Sequence, residues 1–184
     1  MNLNTRGADQ QPPCCIIAFF DYFKDFSALN ESDKYGYSNW TKLLSMKKSA
    51  VLQSDFSYMI SPEHFKEFVL PELSLSCQKL DRSIYHMDGS GQIPHLDMLL
   101  GIKELDVIQW VPNHSQEDCD LWQDIYKRIS DSGKKIQFIK GHLSEIDKII
   151  KATNNPSIIH RQQFVMPKSM VKQELDYLSR WGIS

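Results

Sequence analysis

The densest run of chemically useful side chains is Asp81-Arg-Ser-Ile-Tyr-His-Met-Asp-Gly-Ser-Gly-Gln-Ile-Pro-His-Leu-Asp97. Its pattern predicts a short strand from Ser83 to Met87, a glycine turn, and a helix from about Ile93. Side chains two apart in a strand point the same way. His86 and Asp88 therefore project together where the strand ends, while Tyr85 and Met87 project oppositely. Gly89 and Gly91 leave the backbone bare ahead of the helix, where free N–H groups can hold an anion. An imidazole, a carboxylate and a bare turn at the carboxyl end of a strand make a ligand site in an α/β protein. The same residues also suit a capped βα turn in which His86 is merely hydrogen-bonded.

Further candidates stand at other strand ends. Asp55 follows the first expected strand, as a site carboxylate or as the cap of the turn before Ser61. Gln109 and Trp110 end a strand and point to opposite faces, so at most one lines a pocket. Gln109 is that residue if its phase matches His86, and Trp110 then packs between sheet and helix. His95 falls in the first turns of the helix after Gly91, at the pocket mouth or in solvent. His64 and His142 read as surface residues. There is no G-x-S-x-G elbow and no P-loop, and Gly89-x-Gly91 lacks the third glycine of a dinucleotide fingerprint.

The elements that must position these residues alternate along the chain. Residues 1–13 form a polar tail ending in Pro-Pro, and 14–184 a single domain. Ile16, Phe19, Phe20, Phe23 and Phe26 recur at helical spacing, predicting a helix over Cys14 to Leu29 with one face on a sheet. A polar loop (Asn30 to Asn39) and a helical turn (Trp40 to Met46) follow. Strands are expected at Ala50–Ser54, at the His86 segment, and at Asp106–Val111, Lys135–Ile139 and Ser157–His160. Between them lie helices from Ser61, with a bend or break at Pro71, from Asp118 to Ser130, and from Leu143 to Ala152. A last helix runs from Lys168 to Trp181. Five strands alternating with helices imply a parallel sheet. It is either a complete doubly wound sheet or part of a (β/α)8 barrel, and both place ligands at the carboxyl ends of strands.

Composition narrows the function classes. A chain of 184 residues with 41% hydrophobic and 24% charged side chains is an ordinary globule. A net charge of -2 argues against a dedicated nucleic-acid binder. The four cysteines form no C-x-x-C pair and no zinc-finger spacing. The apolar run Cys14–Phe20 is too short for a bilayer and lacks the flanks of a signal peptide. These features read as a cytoplasmic protein with reduced thiols, no membrane and no nucleic acid.

Two longer motifs add a family resemblance. Ser61-Pro-Glu-His-Phe-Lys-Glu-Phe-Val-Leu-Pro-Glu-Leu73 resembles the S-P-E-x-F-x-E-F-x-L-P helix of the uroporphyrinogen decarboxylase superfamily. That superfamily includes the decarboxylase itself and zinc-dependent methyltransferases that serve corrinoid proteins and thiols. Tyr85-His-Met-Asp-Gly89 resembles the strand end that reads H-x-C-G in those methyltransferases. Val107-Ile-Gln-Trp-Val-Pro112 stands where the next barrel strand would fall, and H-x-D-G with Q-W-V-P looks like an uncharacterised branch. The match covers roughly Phe19 to Ile139, and the rest more weakly.

The resemblance implies a partial (β/α)8 TIM barrel, roughly its C-terminal four or five βα units. Such a half-barrel is a truncated product, or pairs with another copy or a missing N-terminal half, or stays open under the N-terminal helix. It also implies a methyltransferase-like activity on a small ligand, with a corrinoid protein as partner. Zinc would be held by His86, by Asp88 in place of the family's Cys, and by His160 in Ser157-Ile-Ile-His-Arg-Gln-Gln163, which has no Cys. The remaining alternatives are a catalytically inactive binding or oligomerisation module and a tetrapyrrole carboxylate decarboxylase using Asp55 or Asp88.

Overall fold

The structure, a computed structural model, describes residues 14–41, 43–112, 122–138, 143–161 and 168–180. The expected tail 1–13, the first four residues of the helix expected from Asp118, Ile139, His142 and Trp181 lie outside them.

Helix α1 (Cys14–Leu29) has the expected bounds. Its apolar stripe divides, however. Ile16 is buried and Phe20 and Phe23 pack on the core, whereas Phe19 and Phe26 stay 41% and 53% exposed. After the short α2 (Ser32–Tyr35), β1 (Tyr37–Ser38) and β2 (Leu44–Ser45) pair antiparallel. The helical turn expected over Trp40–Met46 is thus a hairpin, tightened where Asn39 accepts from the backbone N–H and hydroxyl of Thr41. An Asx-type bond of this kind competes directly with a helical turn.

Next come β3 (Ser49–Gln53), a 3-10 turn (Asp55–Met59) and a continuous helical run. That run is α3 (Pro62–His64), a π turn (Phe65–Val69) and α4 (Leu70–Gln78). Ser61 caps it by accepting the His64 N–H, as its sequence implies. The break expected at Pro71 is absorbed by the π turn before it, which widens the ladder where the proline cannot donate. Strand β4 (Arg82–Asp88) leads through a 3-10 turn (Ser90–His95) into α5 (Leu96–Leu100). Then follow β5 (Val107–Val111), α6 (Gln123–Asp131), β6 (Lys135–Phe138) and α7 (Leu143–Thr153). A 3-10 turn (Pro156–Ile158), β7 (Ile159–Arg161) and α8 (Lys168–Ser179) complete the order.

The five strands β3 to β7 form one parallel sheet in sequence order, β3-β4-β5-β6-β7. A doubly wound sheet reverses direction at a switch point. This one does not, so that alternative is set aside. Its helices gather on one face: Leu52, Tyr85, Met87, Ile108, Trp110 and Ile136 share a core with residues of α4 to α8. Trp110 sits there edge-on to Trp122, the interior position expected for it.

The opposite face meets the hairpin, whose Trp40 lies edge-on to His86 and whose Thr41 carbonyl accepts from Gln137. Phe23 of α1 stacks on Tyr37 of the hairpin at 6.0 Å, and Lys48, just before β3, lies over the rings of Phe20 and Phe23. Among the described residues β3 and β7 each have a single strand partner in this sheet, which is therefore open. No helix among the described residues is long and apolar enough to cross a membrane.

Candidate functional site

Each strand of the sheet carries a large apolar residue followed by a Gln or His: Leu52-Gln53, Tyr85-His86, Ile108-Gln109, Ile136-Gln137 and Ile159-His160. The register pairs Gln53 with His86, His86 with Gln109, and Gln137 with His160. Ile108 pairs with Ile136, which puts Gln109 beside Gln137 in the same row. One polar row thus crosses the sheet, on the face away from the helices.

The centre of the row is a chain of hydrogen bonds. His86 Nδ1 meets Gln109 Oε1. Gln109 Nε2 donates to Gln137 Oε1 at 2.8 Å, and Gln137 Nε2 donates to the Thr41 carbonyl at 3.1 Å. Gln109 and Gln137 are fully buried, and Thr41 of the hairpin nearly so. Trp40 sets its edge against the His86 ring, with centroids 4.9 Å apart. His86 itself is half-buried, and Nε2 has no hydrogen-bond partner among the described residues. Asp88, two positions along on the same face and about 7 Å away by strand rise, is exposed at the rim.

Gln109 therefore shares the phase of His86. Gln137, Thr41 and Trp40 belong to the same arrangement and were not singled out from sequence. The signal for Gln137 was there, in the repeated large-apolar-then-Gln/His dipeptide of every strand. Thr41 and Trp40 carried none, because a hairpin of two-residue strands has no periodicity to read.

Other expected site residues lie elsewhere. His160 is in the row but on β7, three strands from His86, roughly 14 Å at ~4.8 Å per strand. Ligands to one zinc ion lie about 2 Å from it, so His86, Asp88 and His160 do not form a common metal site. Among the described residues no three His, Cys, Asp or Glu side chains converge on an ion position.

His95 is in neither of the two expected settings. It is fully buried, its ring stacked on Phe65 at 4.4 Å and its Nε2–H donating to the Ser57 carbonyl at 2.8 Å. The chain enters α5 through a 3-10 turn rather than a helix from Ile93, and His95 is the last residue of that turn. Asp55 opens the 3-10 turn after β3, exposed, with no hydrogen bond to His86 or Asp88. Its charge is felt instead by Tyr85, on the helix-facing side, whose phenol is pushed up to about 12 mainly by burial.

Both glycines meet a demand of the backbone. Gly89 has φ 81° and donates its N–H to the Val111 carbonyl at 2.8 Å, so that donor is not free. A Cβ on Gly91 would lie 2.5 Å from the Tyr58 carbonyl oxygen and 2.8 Å from its ring. Gly91→Ala is expected to destabilise the protein by about 1–3 kcal/mol through overpacking, read as a lower urea midpoint at unchanged slope.

Fold and site together define a singly wound α/β protein with a histidine-ended amide row on its helix-free face. No protein-family model matches the chain, and no curated protein matches it.

Proposed function

We propose that the chain is a methyltransferase-like member, or fragment, of the uroporphyrinogen decarboxylase superfamily that binds a small molecule at the carboxyl ends of its strands. The observation that carries this reading is the His86 ring, tethered through Nδ1 to a buried amide chain while Nε2, on the strand face that Asp88 shares, has no partner among the described residues. A sheet wound in sequence order, with its polar row near the carboxyl ends, is what the barrel reading requires. In that reading His86 Nε2 takes the proton of a bound thiol or hydroxyl as its sulfur or oxygen bonds to a methyl carbon, whose bond to its carrier breaks with the electron pair left on the carrier. A corrinoid protein is the corresponding methyl donor.

Zinc fits this site incompletely. His86 and Asp88 supply two donors, where a catalytic zinc site uses three protein ligands and an open position. The residues present do not complete that set, and no step here depends on a metal.

The test is ligand-induced stabilisation of the whole chain by panels of small thiols, amines and carboxylates, with zinc added in parallel. A ligand at a hundred times its Kd is expected to add roughly 2.7 kcal/mol, and His86→Ala should abolish the gain. Equal stabilisation of wild type and His86→Ala, or none by any panel member, overturns the reading.

A second reading draws on the two open edges. Unpaired edges template strand addition, so a truncated barrel would serve as a docking module for a second copy or a missing half. Sedimentation of the purified chain tests the second copy, because that occupant requires a dimer and the first reading does not.

A further inference from the structure

We propose that Gln109, Gln137 and the Thr41 carbonyl form a one-way positioning relay that holds His86 as the Nδ1–H tautomer and presents Nε2 as a lone pair to the ligand. This rests on the reading of His86 as the group that meets the ligand.

The direction is set at the far end. A backbone carbonyl can only accept, so Gln137 must turn its NH2 toward Thr41. Its Oε1 then faces Gln109 and accepts from that NH2. The remaining oxygen of Gln109 faces His86, which must bring a proton on Nδ1. Reversing either amide would set acceptor against acceptor, or donor against donor, among groups sealed from water. The neutral imidazole then carries its lone pair on Nε2. Trp40 against the ring opposes the flip that would exchange the two nitrogens.

The relay also specifies the ligand class. Nε2 and the Asp88 carboxylate are two acceptors on one strand face, so the ligand must bring protons or positive charge. A thiol, hydroxyl or amine satisfies both, whereas Asp88 repels a carboxylate. Gln109 and Gln137 do not touch the ligand; they are positioning residues acting through His86.

The tautomer is read directly by long-range proton–nitrogen correlation on the 15N-labelled, ligand-free full chain, at a mildly alkaline pH where imidazoles are neutral. His86 is assigned among the six histidines by its loss in His86→Ala. The expected wild-type pattern is a pyrrole-type Nδ1 and a pyridine-type Nε2. Gln137→Leu removes the anchor and should return His86 to a mixture rich in the Nε2–H form. A wild-type Nε2–H pattern overturns the relay, as does an unchanged tautomer in folded Gln137→Leu. Should that variant not fold, the wild-type pattern still decides. A correct tautomer with no binding by any panel ligand sinks the functional reading alone, and the wrong tautomer with His86-dependent binding sinks the relay alone.

Discussion

Replacing His95 with alanine is expected to lower the unfolding free energy by about 3–5 kcal/mol. Two losses combine. The ring is fully buried against Phe65, with ring planes 7° from parallel, so truncation opens a cavity beneath the turns after β3 and β4. Its Nε2–H is also the donor to the Ser57 carbonyl, and Ser57 is itself fully buried. Truncation leaves that carbonyl unpaired. His95→Phe separates the terms, because it refills the volume and restores the stack but not the bond; it should cost about 1–3 kcal/mol. Guanidinium unfolding of both variants checks this: no loss in His95→Phe would show that the carbonyl had found another donor, and equal losses that the cavity costs nothing.

The second large effect is alkaline. Burial pushes the Cys77 thiol from 9.0 up to about 11, and the Tyr85 phenol from 10.0 up to about 12. Each folded pKa lies above its unfolded value, so between the two the native state holds the proton that the unfolded state has released. Stability from these groups is complete below pH ~9 and falls as pH rises toward ~12. Two units are roughly 2.7 kcal/mol at full effect, so a loss of about 2–3 kcal/mol per group is expected. Lys134 acts in the opposite sense. Burial lowers its pKa while its ammonium donates to the Ile102 and Leu105 carbonyls, so in its own window stability rises with pH up to its usual 10.5. Denaturation midpoints taken from pH ~8 to ~12 should therefore decline most steeply in the upper half of that range. Tyr85→Phe should flatten the decline there, at the cost of its 2.8 Å bond to Gln92.

These two cases mark where sequence reading succeeded and where it stopped. The strand around His86 and the bounds of α1 were legible because periodicity and turn residues act locally. The shared face of His86 and Asp88 follows from strand geometry alone. That Gln109 joins them required the register, which depends on how two distant segments align. His95 misled because its position hangs on whether the backbone enters α5 through a 3-10 turn, and Pro94 suits either entry. The row across the sheet was written in five dipeptides, but one residue per strand becomes a row only once the strands stand in order. The place of His160 was hidden for the same reason: it is near His86 in chemistry and three strands away in the sheet.

The bond between Gln137 and Thr41 joins groups 96 positions apart. Every strand pairs with its sequence neighbour, so the sheet can grow as synthesis proceeds, yet the hairpin has no amide to grip until β6 emerges. The histidine's chemical identity is thus conferred late in assembly. A chain halted before β6 would carry His86 on a paired strand with its proton free to settle on either nitrogen.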